Sequence, residues 1–188
     1  MKINYFRTKV SRIIFRGMTI AMMLTVFPLI PSACAQSKTK MVESSAYDLT
    51  LKGLLSHSVK EVSVYEIETP SSYQLLDTRE KNEFEVSHIE GANWIGYDDF
   101  DMERIESLDL DKDQPVLLYC SVGYRSEKIG EKLKAAGYKN VQNLYGGIFE
   151  WTNAGKPLVN KEGQPTKKVH AFDKVWGVWV TKGEKVYR

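Results

Sequence analysis

Two short runs, "SYQLLD" and "QPVLLYC", carry apolar residues with almost no polar interruption, the pattern of β-strands covered on both faces. "NVQNLY" is a weaker third. Between the first two, "YDDFDMERIESLDL" spaces Phe100, Ile105 and Leu108 at near-helical intervals, with Asp98 and Asp101 suited to a first turn. Past Cys120, "RSEKIGEKLKAAG" places Ile129, Leu133 and Ala136 on one face and stops at Gly137, which predicts a second helix. Strands alternating with helices imply an α/β fold built on a parallel sheet. Ligands of such sheets collect beyond the carboxyl ends of the strands. Asp77 ends one apolar run and Cys120 another, so both are expected at that edge.

At 188 residues, 43% hydrophobic and 27% charged, the chain is sized and composed for one globular domain. Its formal charge of +2 is unevenly placed: Lys2, Arg7, Lys9, Arg12 and Arg16 fall in the first 35 residues, which hold no acid. The remainder carries 21 basic against 24 acidic residues, a balance of −3 that offers no electrostatic case for nucleic-acid binding. Those first 35 residues run from a basic stretch through "MTIAMMLTVFPLI" to "PSACAQ", the order of an export signal. The apolar part falls short of the roughly 20 residues of a membrane-spanning helix. Ala33 and Ala35 fit ordinary cleavage after Ala35, whereas the stretch also resembles a bacterial lipobox that lipidates Cys34, with Pro31 where leucine is preferred. The lipoprotein is the favoured reading. It places the protein outside the cytoplasm, in the periplasm, held to a membrane only through that lipid. Residues 36–45 read as a polar tether, 46–157 as the domain and 158–188 as a C-terminal extension.

Under either cleavage Cys120 is the only thiol left in the exported part, or the only unlipidated one, so no internal disulfide can form. An unpaired cysteine in an oxidising compartment is either buried and inert or used for its reactivity. The segment "CSVGYR" favours use. Backbone N–H groups curling around Gly123 can form an anion nest, and a helix starting near Arg125 points its positive end at the thiol. A thiol there is expected to be largely thiolate near neutral pH. Arg125 adds a permanent cation suited to an oxyanion. Ser121 and Ser126 could donate hydroxyl bonds to the same anion, with helix capping as the alternative for Ser126. His57, His88 and His170 show no metal-ligand spacing, and His88 reads as structural.

Two longer stretches are similar to a known family. "LLDTREKNEFEVSHIEGANWI" resembles the Asp-x-Arg and His-Ile-x-Gly-Ala region of rhodanese-like sulfurtransferases. "YCSVGYRSEKIGEKLKAAGYKNVQNLYGGIFEW" resembles their catalytic loop, following helix and Gly-Gly-x-x-x-Trp closing signature. Ser87 departs from the family's usual glycine, a change expected to alter a turn and not the chemistry. The resemblance, over about residues 50–157, implies a rhodanese-like α/β fold with Cys120 as sulfur-carrying nucleophile. It also implies a cradle formed by Ser121, Val122, Gly123, Tyr124 and Arg125. The implied partners are a small sulfur-containing anion and a thiol acceptor, with no metal or organic cofactor. Asp77 and Arg79 are expected either to touch substrate or to brace the loop as a buried ion pair.

Two other functions compete. One is a cysteine phosphatase or arsenate reductase, although related phosphatase loops generally carry five residues between cysteine and arginine and this one carries four. The other is a sulfur-carrying or protein-binding module without turnover. In the tail "KVHAFDKVWGVWVTKGEKVYR", Lys182 and Gly183 could turn a hairpin, and the arm is expected to pack back onto the domain. Its aromatic residues are the alternative surface for a protein partner.

Overall fold

The computed structural model describes residues 40–187. The segment read as an export signal, with Cys34, lies outside them. The fold centres on a parallel sheet in the order β1-β5-β4-β2-β3: β1 is Lys60–Val62, β2 Gln74–Asp77, β3 Asn93–Trp94, β4 Val116–Tyr119 and β5 Val141–Leu144. The register pairs Leu75 with Leu117, Leu76 with Leu118 and Asp77 with Tyr119. All four residues of β4 are fully buried, which explains its unbroken apolar run. Alternate side chains enter opposite layers. Val116 and Leu118 pack with Ile105 of α3 (Met102–Ser107) and with Ile129 and Leu133 of α4 (Tyr124–Ala135). Leu117 and Tyr119 pack with Tyr47 and Leu51 of α1 (Ser45–Leu54) and with Ile148, Phe149 and Trp151 of α5 (Gly147–Asn153). Between β2 and β3 runs the short α2, Lys81–Val86.

Both expected helices form, the first as the six residues of α3. Its cap is Asp101, whose carboxylate accepts the Glu103 N–H at 3.0 Å, and not Asp98. The expected tether is docked from Lys40 onward. Val42 is buried, Ser63 Oγ is shared between the carbonyls of Lys40 and Met41, and Ser44 caps α1 by accepting the Tyr47 N–H at 3.3 Å.

The tail packs back, but without the expected hairpin. Residues Trp176–Trp179 form a 3-10 turn, and β8 (Lys168–His170) pairs in parallel with β9 (Glu184–Val186). Upstream, β6 (Leu158–Val159) and β7 (Pro165–Thr166) make a small antiparallel ribbon. Parallel pairing needs a crossover, and the 3-10 turn lies within it. Asn153 at the end of α5 fixes that crossover, donating to the Trp179 carbonyl at 2.8 Å and accepting the Thr181 N–H at 2.8 Å. Trp179 stacks on Tyr47 with ring centroids 5.0 Å apart. The sequence-based boundary at 157 therefore does not separate two packing units, since Val169, Ala171 and Val180 share the core with α1 and α5. Among the described residues no helix is long and apolar enough to cross a membrane.

Candidate active site

Cys120 follows β4 at the carboxyl edge of the sheet, and the loop from it to α4 is shaped by what donates to its carbonyls. Ile148 N–H donates to the Cys120 carbonyl at 2.9 Å and Phe149 N–H to that of Ser121 at 3.2 Å. Those two amides open α5, so one helix start holds the loop that opens another. The approach requires Gly147, at φ +57°, because a Cβ there would stand 2.4 Å from the Cys120 oxygen. The Gly123 carbonyl is likewise taken, by Asn143 Nδ2 at 2.9 Å, Ser126 Oγ at 3.1 Å and Glu127 N–H at 3.1 Å. With the carbonyls engaged, the amides are left for the site. Gly123, at φ +116°, donates its N–H to Cys120 Sγ at 3.1 Å. Behind it the first-turn amides of α4 have no carbonyl within the helix to receive them.

Beside the thiol a buried carboxylate collects the loop's polar side chains. Arg125 Nη1 donates to Glu83 Oε2 at 2.7 Å and Nη2 to Oε1 at 3.0 Å. Ser121 Oγ donates to Glu83 Oε1 at 3.1 Å and accepts from Arg125 Nη2 at 3.1 Å. The Glu83 side chain is 2% exposed and that of Arg125 13%. Burial alone would raise the Glu83 carboxyl, but the bonded Arg125 guanidinium, with Arg79 and the Glu80 amide, holds it below the usual carboxylate range. Burial likewise works against the Arg125 charge, and Glu83 and the Cys120 sulfur outweigh it, pushing Arg125 above its ordinary value. His170 stands 4.0 Å from Glu83, and burial lowers its pKa despite that carboxylate. Its Nδ1 accepts the Phe172 N–H at 3.2 Å.

Asp77 and Arg79 form the buried pair and not a substrate contact. Both are fully buried, joined at 2.6 Å, and Arg79 also donates to the Ser87 carbonyl at 2.7 Å and lies 5.7 Å from the Tyr119 ring centroid. They lock the start of α2, and with it Glu83, behind the loop. At Ser87 the backbone is extended, φ −169°, so serine meets no conformational demand that glycine would relieve.

The pocket over the thiol is about 280 Å³ and is lined by Leu54, Cys120, Ser121, Val122, Tyr124, Arg125, Phe172 and Trp176. Of the residues expected to bind substrate, Ser121, Val122, Tyr124 and Arg125 line it, and Gly123 reaches it through its amide. Two expectations are corrected. Ser126 is neither a ligand group nor a cap: it is buried in the first turn of α4, with its hydroxyl between the Gly123 carbonyl and Asn143 Oδ1 at 2.7 Å. Arg125 is not an isolated loop cation, because both of its terminal nitrogens, like the Ser121 hydroxyl, are bonded to Glu83. The sequence reading missed Glu83, Leu54, Phe172 and Trp176. The aromatic density of the tail was the one available signal for the last two. His88 bonds the Phe84 carbonyl and stacks on its ring, a structural role. Among the described residues no group of three His, Cys, Asp or Glu could hold a metal ion.

Residues 63–154 match the family profile described as the Rhodanese-like domain. Among curated proteins the chain is similar to a Sodalis glossinidius protein named tRNA uridine(34) hydroxylase, 30% identical over 133 residues, covering 68% of this chain and 37% of that protein. A protein of the same name from Erwinia tasmaniensis is 32% identical over 108 residues, covering 54% and 30%. The chain thus spans well under half the length of the curated relatives it matches. Among solved structures, a rhodanese-like domain protein from Staphylococcus aureus is 26% identical, with 49% of this chain and 90% of that one covered and a TM-score of 0.42. A rhodanese-like domain from Anabaena sp. is also 26% identical, covering 47% and 66% with a TM-score of 0.44.

Proposed function

Since residues 63–154 constitute a rhodanese-like domain, we propose that the protein is a sulfurtransferase that carries sulfane sulfur on Cys120. The observation that carries this reading is the Cys120 sulfur at the floor of an open pocket, receiving the Gly123 N–H at 3.1 Å at the positive end of α4. The Cys120 thiolate attacks the outer sulfur of a donor of the thiosulfate type. The sulfur–sulfur bond of the donor breaks, sulfite departs with the electron pair, and a Cys120 persulfide remains. A thiophilic acceptor then takes the outer sulfur and frees the thiolate, a ping-pong cycle. Backbone amides supply the donors for charge on the bound sulfur, and Glu83 with Arg125 hold the loop around them. No step calls on a metal or an organic cofactor.

Mass spectrometry after incubation with thiosulfate tests the reading. One added sulfur atom, removed by cyanide and absent in Cys120→Ser, is the expected result; sulfur retained by Cys120→Ser would refute it. The name of the curated relatives favours a second reading, in which the domain serves hydroxylation of a tRNA uridine. The −3 charge balance beyond residue 35 argues against it. Micromolar tRNA binding that weakens steeply with salt would bring it forward.

A further inference from the structure

The walls of the pocket over Cys120 are apolar to a degree that its chemistry does not require. Leu54 closes one side from the end of α1, Val122 and Tyr124 come from the loop, and Phe172 and Trp176 come from the C-terminal extension. Arg125 is the charged residue among the lining groups, yet both of its terminal nitrogens are bonded to Glu83, and Glu80 lies 3.8 Å from the same guanidinium. An inorganic dianion entering here finds amide dipoles but little uncompensated positive charge. Space is not limiting, since an apolar cavity of about 150 Å³ is enough to hold benzene.

Phe172 makes the apolar wall look specified. Its φ of +62° is a left-handed conformation that an aromatic residue adopts only when its surroundings over-determine it, and such strain gathers at ligand clamps. The surroundings are identifiable: His170 Nδ1 accepts the Phe172 N–H, and the ring sits 5.2 Å from the Arg125 guanidinium carbon. Phe172 nevertheless remains 44% exposed, so its burial does not account for the strain.

We propose that this pocket takes the organic part of an apolar sulfane-sulfur compound, one whose transferable sulfur is carried by a sulfonyl bearing an aromatic or branched aliphatic group, in preference to donors whose organic group is small. The proposal rests on Cys120 being the sulfur carrier and deepens that reading by naming the donor class. With a thiosulfonate, R–SO₂–S⁻, the Cys120 thiolate bonds to the outer sulfur, the sulfur–sulfur bond breaks, and the sulfinate R–SO₂⁻ leaves with the electron pair. The products are the Cys120 persulfide and a free sulfinate, with no outside oxidant or reductant.

Methanethiosulfonate and benzenethiosulfonate test this, because they share charge and reacting group and differ in R alone. Loading of one sulfur onto the purified protein is followed by mass spectrometry, and each second-order rate is divided by that donor's rate with free N-acetylcysteine to remove leaving-group effects. The normalised benzene-to-methane ratio is expected to be about tenfold or more, the scale of burying one ring. It should fall toward one in Phe172→Gly and in Trp176→Ala. Phe172→Gly is the safer variant, because glycine accepts the positive φ without strain. A wild-type ratio near one, or a high ratio untouched by either substitution, would overturn the proposal. Loading by both donors at equal rates would leave the sulfur-carrier reading standing while removing this one. Loading by neither would remove both.

Discussion

Glu83→Gln tests whether the Cys120 loop is held by a buried ion pair. The substitution keeps the shape of the side chain and one acceptor oxygen, but removes the charge opposite Arg125 and replaces one acceptor with an amide donor. Arg125 then keeps one of its two bonds, at 2.7 and 3.0 Å in the wild type, and the Ser121 hydroxyl and Glu80 amide must compete for what remains. Removing one partner of a buried pair costs about 3–5 kcal/mol. Two features reduce that here: the Arg125 side chain is 13% exposed, so water can partly replace the lost charge, and glutamine still accepts one bond. A loss of about 2–3 kcal/mol follows, close to the value of one or two hydrogen bonds to a charged group. For a chain of this size that is a drop of about 4–12 °C in Tm. The sign of the pH dependence is also fixed. Glu83 is held below its ordinary pKa in the fold, so its contribution is complete above the unfolded value of about 4.3 and is lost as pH falls through the folded value. Thermal melts of wild type and variant should therefore differ most near pH 7 and draw together as the pH falls below the unfolded value of about 4.3. Equal Tm values at pH 7, or a gap that widens on acidification, would refute the reasoning.

Arg125→Ala should destabilise more than Glu83→Gln, by about 3–5 kcal/mol in urea unfolding, because it strands a carboxylate that is 2% exposed; a loss below about 1 kcal/mol would mean Arg125 is a free loop cation after all. Gly147→Ala would place a methyl 2.4 Å from the Cys120 carbonyl oxygen at a positive φ, so persulfide formation should be lost and stability should fall by more than about 2 kcal/mol; wild-type loading in this variant would show that α5 does not set the loop. The unmodified protein should show negligible aryl-phosphatase activity, since four residues between Cys120 and Arg125 enclose less space than a tetrahedral oxyanion needs; efficient ester hydrolysis, absent in Cys120→Ser, would favour the phosphatase reading.

How far the sequence carried depended on whether the cause of each feature was local. The run at β4 was legible because each of its residues is buried, and α4 because Ile129 and Leu133 mark one face. The edge strands were not: β1 buries only Val62, and β3 has two residues, neither buried. Helix α5 was hidden for the opposite reason, since all seven of its residues are buried and no apolar stripe stands out against a polar face. In the site the same division decides. The cradle around Cys120 is six consecutive residues, so its glycine, its helix start and its thiol could be read together.

Glu83 stands among the acids of "REKNEFEV", and nothing in their order marks it out from Glu80 or Glu85. Only the fold, by turning Glu83 inward as the one buried residue of α2, brings it to Arg125 across 42 positions of sequence. This changes the chemistry inferred from the same loop. Arg125 read alone is a cation waiting for an anion, whereas Arg125 joined to Glu83 is a brace, and the site's attraction for charge falls back on amide dipoles. Phe172 and Trp176 arrive from still farther along the chain and make the remaining wall apolar. On the reading proposed above, reaction class is written in contiguous residues, while donor preference depends on groups that meet only when the chain is folded. It follows that two chains sharing "CSVGYR" but differing at Glu83, Phe172 and Trp176 should share the persulfide and differ in what loads it.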